Sequence, residues 1–336
     1  MFKKSYALIL LSIVLLSSSV NASSGNTGII EKTNDELLLE LGYSQQEVLS
    51  FKLDSMKSFN VNDNSDDLGR LAQLGYSKAE VEDLGENDMI YLEGLSGELV
   101  GLDIKYMKKD LDLGMIEVSK SEFETGVEEY NLQMQICNTS SSTCEDQETS
   151  PGWMTLKTAV SRISNTSPQE YLIKHDYTWT KKPFYTFKDA VGVAHHVSMS
   201  PIQNSEYLKY SSDVYSSRSP ISGVGPWTSE GSTDRYLYSA NDKTGGMAFE
   251  FYMFSDSNQL INGVKYKYEN HRGTVAYRAV RNNSNYTIAD ISGHYIHTEQ
   301  SYSGSLGVDV TGTGSFSISA NITKTPALQT GVTFSY

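Results

Sequence analysis

The chain has 336 residues, with 41 Asp and Glu against 27 Lys and Arg, a formal net charge of −14, and 38% hydrophobic residues. That length buries a sizeable core, and the acidic balance excludes a nucleic-acid binder, whose surface needs basic stripes. No apolar run approaches the ~20 residues that a membrane-crossing helix needs.

Residues 1–22 have the three-part layout of a secretory signal. Lys3 and Lys4 precede an apolar run from Ala7 to Leu16, and small residues from Ser17 to Ala22 lead to a cut at Ala22-Ser23. The expected product is secreted or extracellular, free or associated with the cell envelope. Its charge is unevenly spread: residues 23–150 carry a net of −18, whereas 151–336 carry +2. An acidic half of this kind suits solvation, cation binding or an intramolecular cover for a more neutral partner.

Residues 23–96 read as acidic helical hairpins. Leu41-Gly42-Tyr43-Ser44-Gln45-Gln46-Glu47-Val48 recurs as Leu74-Gly75-Tyr76-Ser77-Lys78-Ala79-Glu80-Val81, a spacing of 33 residues. In each copy the glycine closes one helix in the left-handed conformation. The serine and the glutamate three residues later then form a capping box for the next helix. Between the copies, Asn60 to Asp67 reads as a solvated linker. Its alternating oxygens also fit Ca, but the loop lacks the sixth-position glycine and distal glutamate of an EF-hand.

Residues 97–150 are a mixed connecting region. Val100, Leu102, Ile104 and Tyr106 alternate with polar residues, and Tyr130, Leu132, Met134 and Ile136 do the same, so strands are expected at both places. Cys137 and Cys144, the chain's two cysteines, are expected to form a disulfide, as an even pair does in an oxidising compartment. The segment from Cys144 to Gly152 marks the boundary to the last domain.

From 151 to 336 helical periodicity gives way to strand-like runs between Ser, Gly, Asn and Pro clusters. They cover 155–163, 171–179, 207–215, 235–239, 247–254, 264–270, 274–280, 286–291, a hairpin over 306–322, and 331–336. The fold class is therefore α+β: acidic helical hairpins followed by an antiparallel β-sandwich or jelly-roll. In the 306–322 hairpin, Leu306, Val308, Val310, Phe316, Ile318 and Ile322 share one parity, and Asp309 with a series of Ser and Thr the other. That apolar face meets either a second sheet or a lipid bilayer.

The chemistry-bearing residues give weaker signals. Five of the six histidines fall in local groups, and His196, His271 and His294 together would supply a three-histidine Zn site. No HExxH spacing, Gly-x-Ser-x-Gly elbow or phosphate loop accompanies them. Trp153, Trp179, Trp227, Tyr266 and Tyr268 are candidate platforms for a stacked ligand.

The paired Leu-Gly-Tyr-Ser-x-x-Glu-Val turns, Gly152-Trp153-Met154, Asn270-His271-Arg272-Gly273, Gly293-His294-Tyr295 and the closing Val-Thr-Phe-Ser-Tyr resemble a group of secreted proteins from Gram-positive, spore-forming bacteria. No activity is established for that group, so the resemblance implies a compartment and no residue roles. The sequence favours an exported, non-catalytic module for an unknown cell-surface or extracellular ligand, with no nucleic acid and no cofactor. The alternatives are a pore-forming protein that makes membrane contact through the 306–322 hairpin, and a histidine-dependent hydrolase.

Overall fold

The structure, a computed structural model, describes residues 32–55, 64–110, 114–139, 152–181, 183, 186–218, 227–237, 241–243, 245–257, 261, 263–311 and 315–336. The signal segment 1–22 lies outside them. Five helices come first: α1 (Asn34–Glu40), α2 (Gln45–Ser55), α3 (Asn64–Gln73), α4 (Lys78–Glu82) and α5 (Glu86–Leu92). β1 (Gly97–Asp110), β2 (Gly114–Val118) and α6 (Lys120–Thr139) follow. The rest is β3 (Trp153–Ile163), β4 (Glu170–Lys181), β5 (Lys188–His195), β6 (Met199–Pro201), β7 (Tyr207–Ser217), β8 (Thr228–Leu237), β9 (Asn241–Lys243) and β10 (Gly246–Tyr252). β11 (Lys265–Arg281), β12 (Ile288–Ile296), β13 (Val308–Thr311), β14 (Ser315–Ile318) and β15 (Leu328–Ser335) complete it.

Two antiparallel sheets face each other, as the fold class predicts. The larger runs β2-β1-β3-β4-β11-β7-β8, with β6 also on β11, and the smaller β15-β12-β5-β10-β9. Their inner faces share one core in which Leu156, Ile173, Val275 and Tyr277 meet Val191, Val193, Phe249, Ile291 and Phe334. β1 pairs along its length with β3, from Gly97 against Ile163 to Lys108 against Trp153. The expected boundary near residue 150 is therefore a break in composition and not in the fold.

The repeat folds as its capping residues dictate. Gly42 and Gly75 take φ values of 95° and 82°, and Ser77 with Glu80 forms a capping box at α4. Ser44 and Glu47 make the same reciprocal bonds. Two repeats pack on each other, with Tyr43 donating to the Tyr76 carbonyl at 2.7 Å. Lys78 pairs with Glu47 at 2.5 Å, and its bond together with the Ser44 backbone pulls the Glu47 carboxyl down to about 2. The helices then cover the outer face of the larger sheet, where Leu37, Leu38 and Leu41 meet Leu99, Leu102 and Ala159, and Leu71, Leu74 and Tyr76 meet Leu172, Tyr207 and Ala276.

Two expectations are corrected. Residues 130–136 belong to α6 and not to a strand. Leu132, Gln133, Met134 and Gln135 are good helix formers, and Phe123 and Gly126 share a helical face that meets Trp153. Residues 64–67 open α3 and so are not linker, which ends the alternating-oxygen reading at that point; Asn60 to Asp63 lie outside the described residues. Cys144 lies outside them too, and Cys137 falls where α6 is described by backbone alone, so the expected bridge stays an expectation.

Candidate functional site

Strand parity puts a second, smaller apolar surface on the outside of the smaller sheet. In β5, Val191 and Val193 point into the sandwich while Ala190 and Ala194 point out; in β10, Phe249 points in and Ala248 out. The outward set consists of small side chains, and the β13–β14 hairpin lies on it. Leu306, Val308, Val310, Phe316 and Ile318 are buried there against Ala190, Ala194, Ala248 and Ile296, with Ile322 partly buried at the margin. Asp309 and Ser317 are exposed. The predicted membrane-facing residues thus all fall on one face, and in this form that face is covered by protein.

Glycines make the seat. A Cβ on Gly192 would stand 2.5 Å from the Phe316 ring and 2.7 Å from the Met247 carbonyl, and one on Gly246 2.6 Å from Val310. His294 stacks on the Phe316 ring at 5.2 Å between centroids and 3° between planes. The tip strands pair only with each other among the described residues, Val308 against Ile318 and Val310 against Phe316. Among the described residues no ladder joins them to the sheet beneath.

The attachment of this hairpin gives it freedom. β12 and β15 are direct neighbours in the smaller sheet, Tyr295 opposite Leu328, so everything between them is an excursion that the sheet does not need. Its neck is already an antiparallel ladder: Thr325 donates to the His297 carbonyl at 2.9 Å and Glu299 to the Thr323 carbonyl at 2.8 Å. The tip resumes pairing where Ala320 donates to the Leu306 carbonyl at 3.1 Å. Between neck and tip one arm spends six residues, 300–305, and the other two, 321 and 322. Those four extra residues fold the hairpin back over the sheet, with Gly307 at φ 62° completing the bend.

A polar clasp closes over the bend. The Glu250 carboxylate accepts from the Gly307 N–H at 3.0 Å and the Ser305 hydroxyl at 2.8 Å. Lys188 donates to Glu250 at 3.3 Å and to the Gly304 carbonyl at 2.7 Å. Burial alone would raise the Glu250 pKa, but the Leu306–Gly307 peptide N–H, Ser305 and Lys188 together hold it below the ordinary glutamate value. Nothing in the sequence marked Glu250 or Lys188, because a pair of opposite charges on neighbouring strands has no motif.

The predicted zinc trio does not assemble. His271 sits at the bulge in β11 with its Nδ1 2.8 Å from the Tyr210 hydroxyl, His294 lies under Phe316 on the other sheet, and His196 contacts Ser198 at 2.6 Å beyond the end of β5. Among the described residues no group of three or more His, Cys, Asp or Glu is placed to hold a metal. Two other histidines are enclosed in the sandwich: burial, with His294 nearby, lowers His175 to about 3, and burial, with His196 nearby, lowers His195 to about 4.

Two of the predicted stacking residues are core. Trp179 is fully buried, its indole N–H donating to the Tyr295 hydroxyl at 2.9 Å, and Trp153 packs edge-on against Phe123 at 5.7 Å. A strand carrying alternate aromatics buries them as readily as it exposes them, so composition did not separate the two cases. Trp227, Tyr266 and Tyr268 stay half-buried at the surface.

No family model matches the chain, and no curated protein matches it. Solved structures with some similarity include Clostridium perfringens delta-toxin, at 9% identity and TM-score 0.25 over 55% of this chain and 84% of that one. A structure described as a pore forming protein reaches 6% and 0.27 over 54% and 85% of the two chains. The membrane-inserted form of Clostridium perfringens NetB toxin reaches 7% and 0.21 over 55% and 91%. Identities and TM-scores this low do not establish a shared fold.

Proposed function

We propose that this is an exported membrane-active protein whose 299–325 excursion unfolds from the smaller sheet and enters a bilayer, where several copies pair their hairpins into a pore. The observation that carries the reading is the amphipathic hairpin that hydrogen-bonds to itself, rests on a bed of alanines and is inserted between two strands that pair without it. Five buried apolar side chains hold it down, each contributing about 1.5–3 kcal/mol relative to water. Lipid offers that face an equally apolar surrounding, so the apolar contribution largely cancels between the two states. What then decides between them is the Glu250–Lys188 clasp on one side and, on the other, pairing of the hairpin's free edges. In hydrocarbon those edges require a neighbouring copy, because a closed barrel satisfies every backbone group. Asp309 and the Ser and Thr of the opposite face would line its lumen.

The test is dye release from liposomes, comparing the mature chain with a variant in which residues 300–322 are replaced by Asn-Gly. Release by the first and none by the second is the expected result. Equal release by both would refute the role of the hairpin, and no release by either would refute the membrane reading.

A further inference from the structure

On the outer face of the larger sheet, beyond the area that α1–α5 cover, the structure has an open cleft of about 140 Å³. Trp227 just before β8, Tyr215 of β7, Lys267, Glu269 and Asn270 of β11 and Tyr130 of α6 are the main wall residues, with Asn131 and Thr180 beside them. Lys267 and Glu269 pair at 2.8 Å with little exposure of either side chain, and Asn270 is fixed by its φ of 50° and by donating to Asp213 at 2.7 Å. The wall thus combines an indole, two phenols, one cation, one anion, two amides and a hydroxyl. Aromatic faces pack on the C–H face of a pyranose, while carboxylate, ammonium and amide groups hold its hydroxyls through directed hydrogen bonds.

The charge of the wall selects among ligands. Lys267 opposes a quaternary ammonium, and Glu269 opposes a phosphate or sulfate, so the pair suits a neutral, hydroxyl-rich ligand. We infer that this cleft is a carbohydrate-binding site that docks the protein on a neutral glycan of a cell surface, with Trp227 as its stacking platform. This rests on the cleft alone and not on the membrane reading.

Tryptophan fluorescence tests it directly. The chain has three tryptophans, and Trp153 and Trp179 are buried, so quenching by acrylamide reports chiefly on Trp227. Without lipid, methyl galactoside, methyl glucoside, N-acetylglucosamine and phosphocholine would be titrated in turn, with binding also followed by saturation-transfer NMR. One neutral sugar is expected to shield Trp227 at millimolar concentration. Binding read by NMR should fall more than tenfold in Trp227→Ala and Glu269→Gln and recover in Trp227→Tyr. An unchanged urea midpoint in each variant shows that the fold is kept. No shielding by any sugar, shielding by phosphocholine alone, or NMR binding that survives Trp227→Ala would overturn the inference. Because release from sugar-free liposomes is read separately, failure here leaves the pore reading standing, and the reverse holds.

Discussion

Glu250 and Lys188 decide how tightly the hairpin is held. Replacing the carboxylate in Glu250→Gln removes the ion pair and weakens two charge-assisted bonds, a loss of about 1–3 kcal/mol. Hydrogen exchange should show faster opening at residues 306–318 while the β12–β15 ladder stays protected. Acid acts on the same carboxylate. Its folded pKa lies below the ordinary 4.5, so its stabilisation is complete above that value and is lost as pH falls through the lowered folded value. The histidines act earlier in an acid titration. His175 and His195 stay neutral in the fold down to about 3 and about 4, whereas in the unfolded chain they take up protons below 6.5. Between pH 6.5 and 4 the unfolded state therefore binds more protons, and stability drops by about 1.4 kcal/mol per pH unit for each of them. Urea midpoints measured at pH 7, 6 and 5 should fall in that order, and His195→Gln should flatten the decline. None of these roles was legible in the sequence, which displays histidines and carboxylates without displaying what surrounds them.

The hairpin itself was legible, and its surroundings were not. Strict alternation from Leu306 to Ile322 fixes a strand pair with one apolar face, but a strand buried on a sheet and a strand facing lipid share that pattern. The deciding facts are the pairing of β12 with β15 beneath it and the register shift between neck and tip, both set by residues far apart in sequence. Excision of 300–322 should accordingly leave a folded protein with the full β12–β15 ladder, which circular dichroism and a cooperative urea transition would check. Ile318→Asp places a charge on the alanine bed and should free the tip in solution while abolishing dye release. β5 went unrecognised for a related reason: Asp-Ala-Val-Gly-Val-Ala is apolar on both parities because both of its faces are covered, so it has no alternation to find.

The layers of the whole molecule run from acidic helices through two sheets to the hairpin, and charge joins the first two. Lys157, Lys174 and Lys209 lie buried on the outer face of the larger sheet, with Arg272 partly buried beside them. Acids of the helical region come down on them: Glu80 on Lys157, Asp88 on Lys209 at 2.9 Å and Asp83 on Arg272. The net −18 of residues 23–150 is thus partly spent against a basic sheet, as the cover reading of the composition implies. Glu80→Gln would leave Lys157 and Lys174 to share Asp176, at a cost of about 3 kcal/mol that a lowered urea midpoint would register. The repeat, its caps and the α+β class were readable from local chemistry, whereas this interface depends on which strands lie side by side.

The central claim is that the 306–318 face exchanges a bed of alanines for lipid. The most direct measurement attaches an environment-sensitive fluorophore to single cysteines at positions 308, 309, 310, 316, 317 and 318, one at a time, in a Cys137→Ser, Cys144→Ser background, and adds liposomes containing a lipid-borne quencher. The account predicts quenching at 308, 310, 316 and 318 and none at 309 and 317, the parity of a strand with one side in hydrocarbon. Emission unchanged at all six positions while the same preparation releases dye would contradict it, since the membrane would then be breached by another part of the molecule.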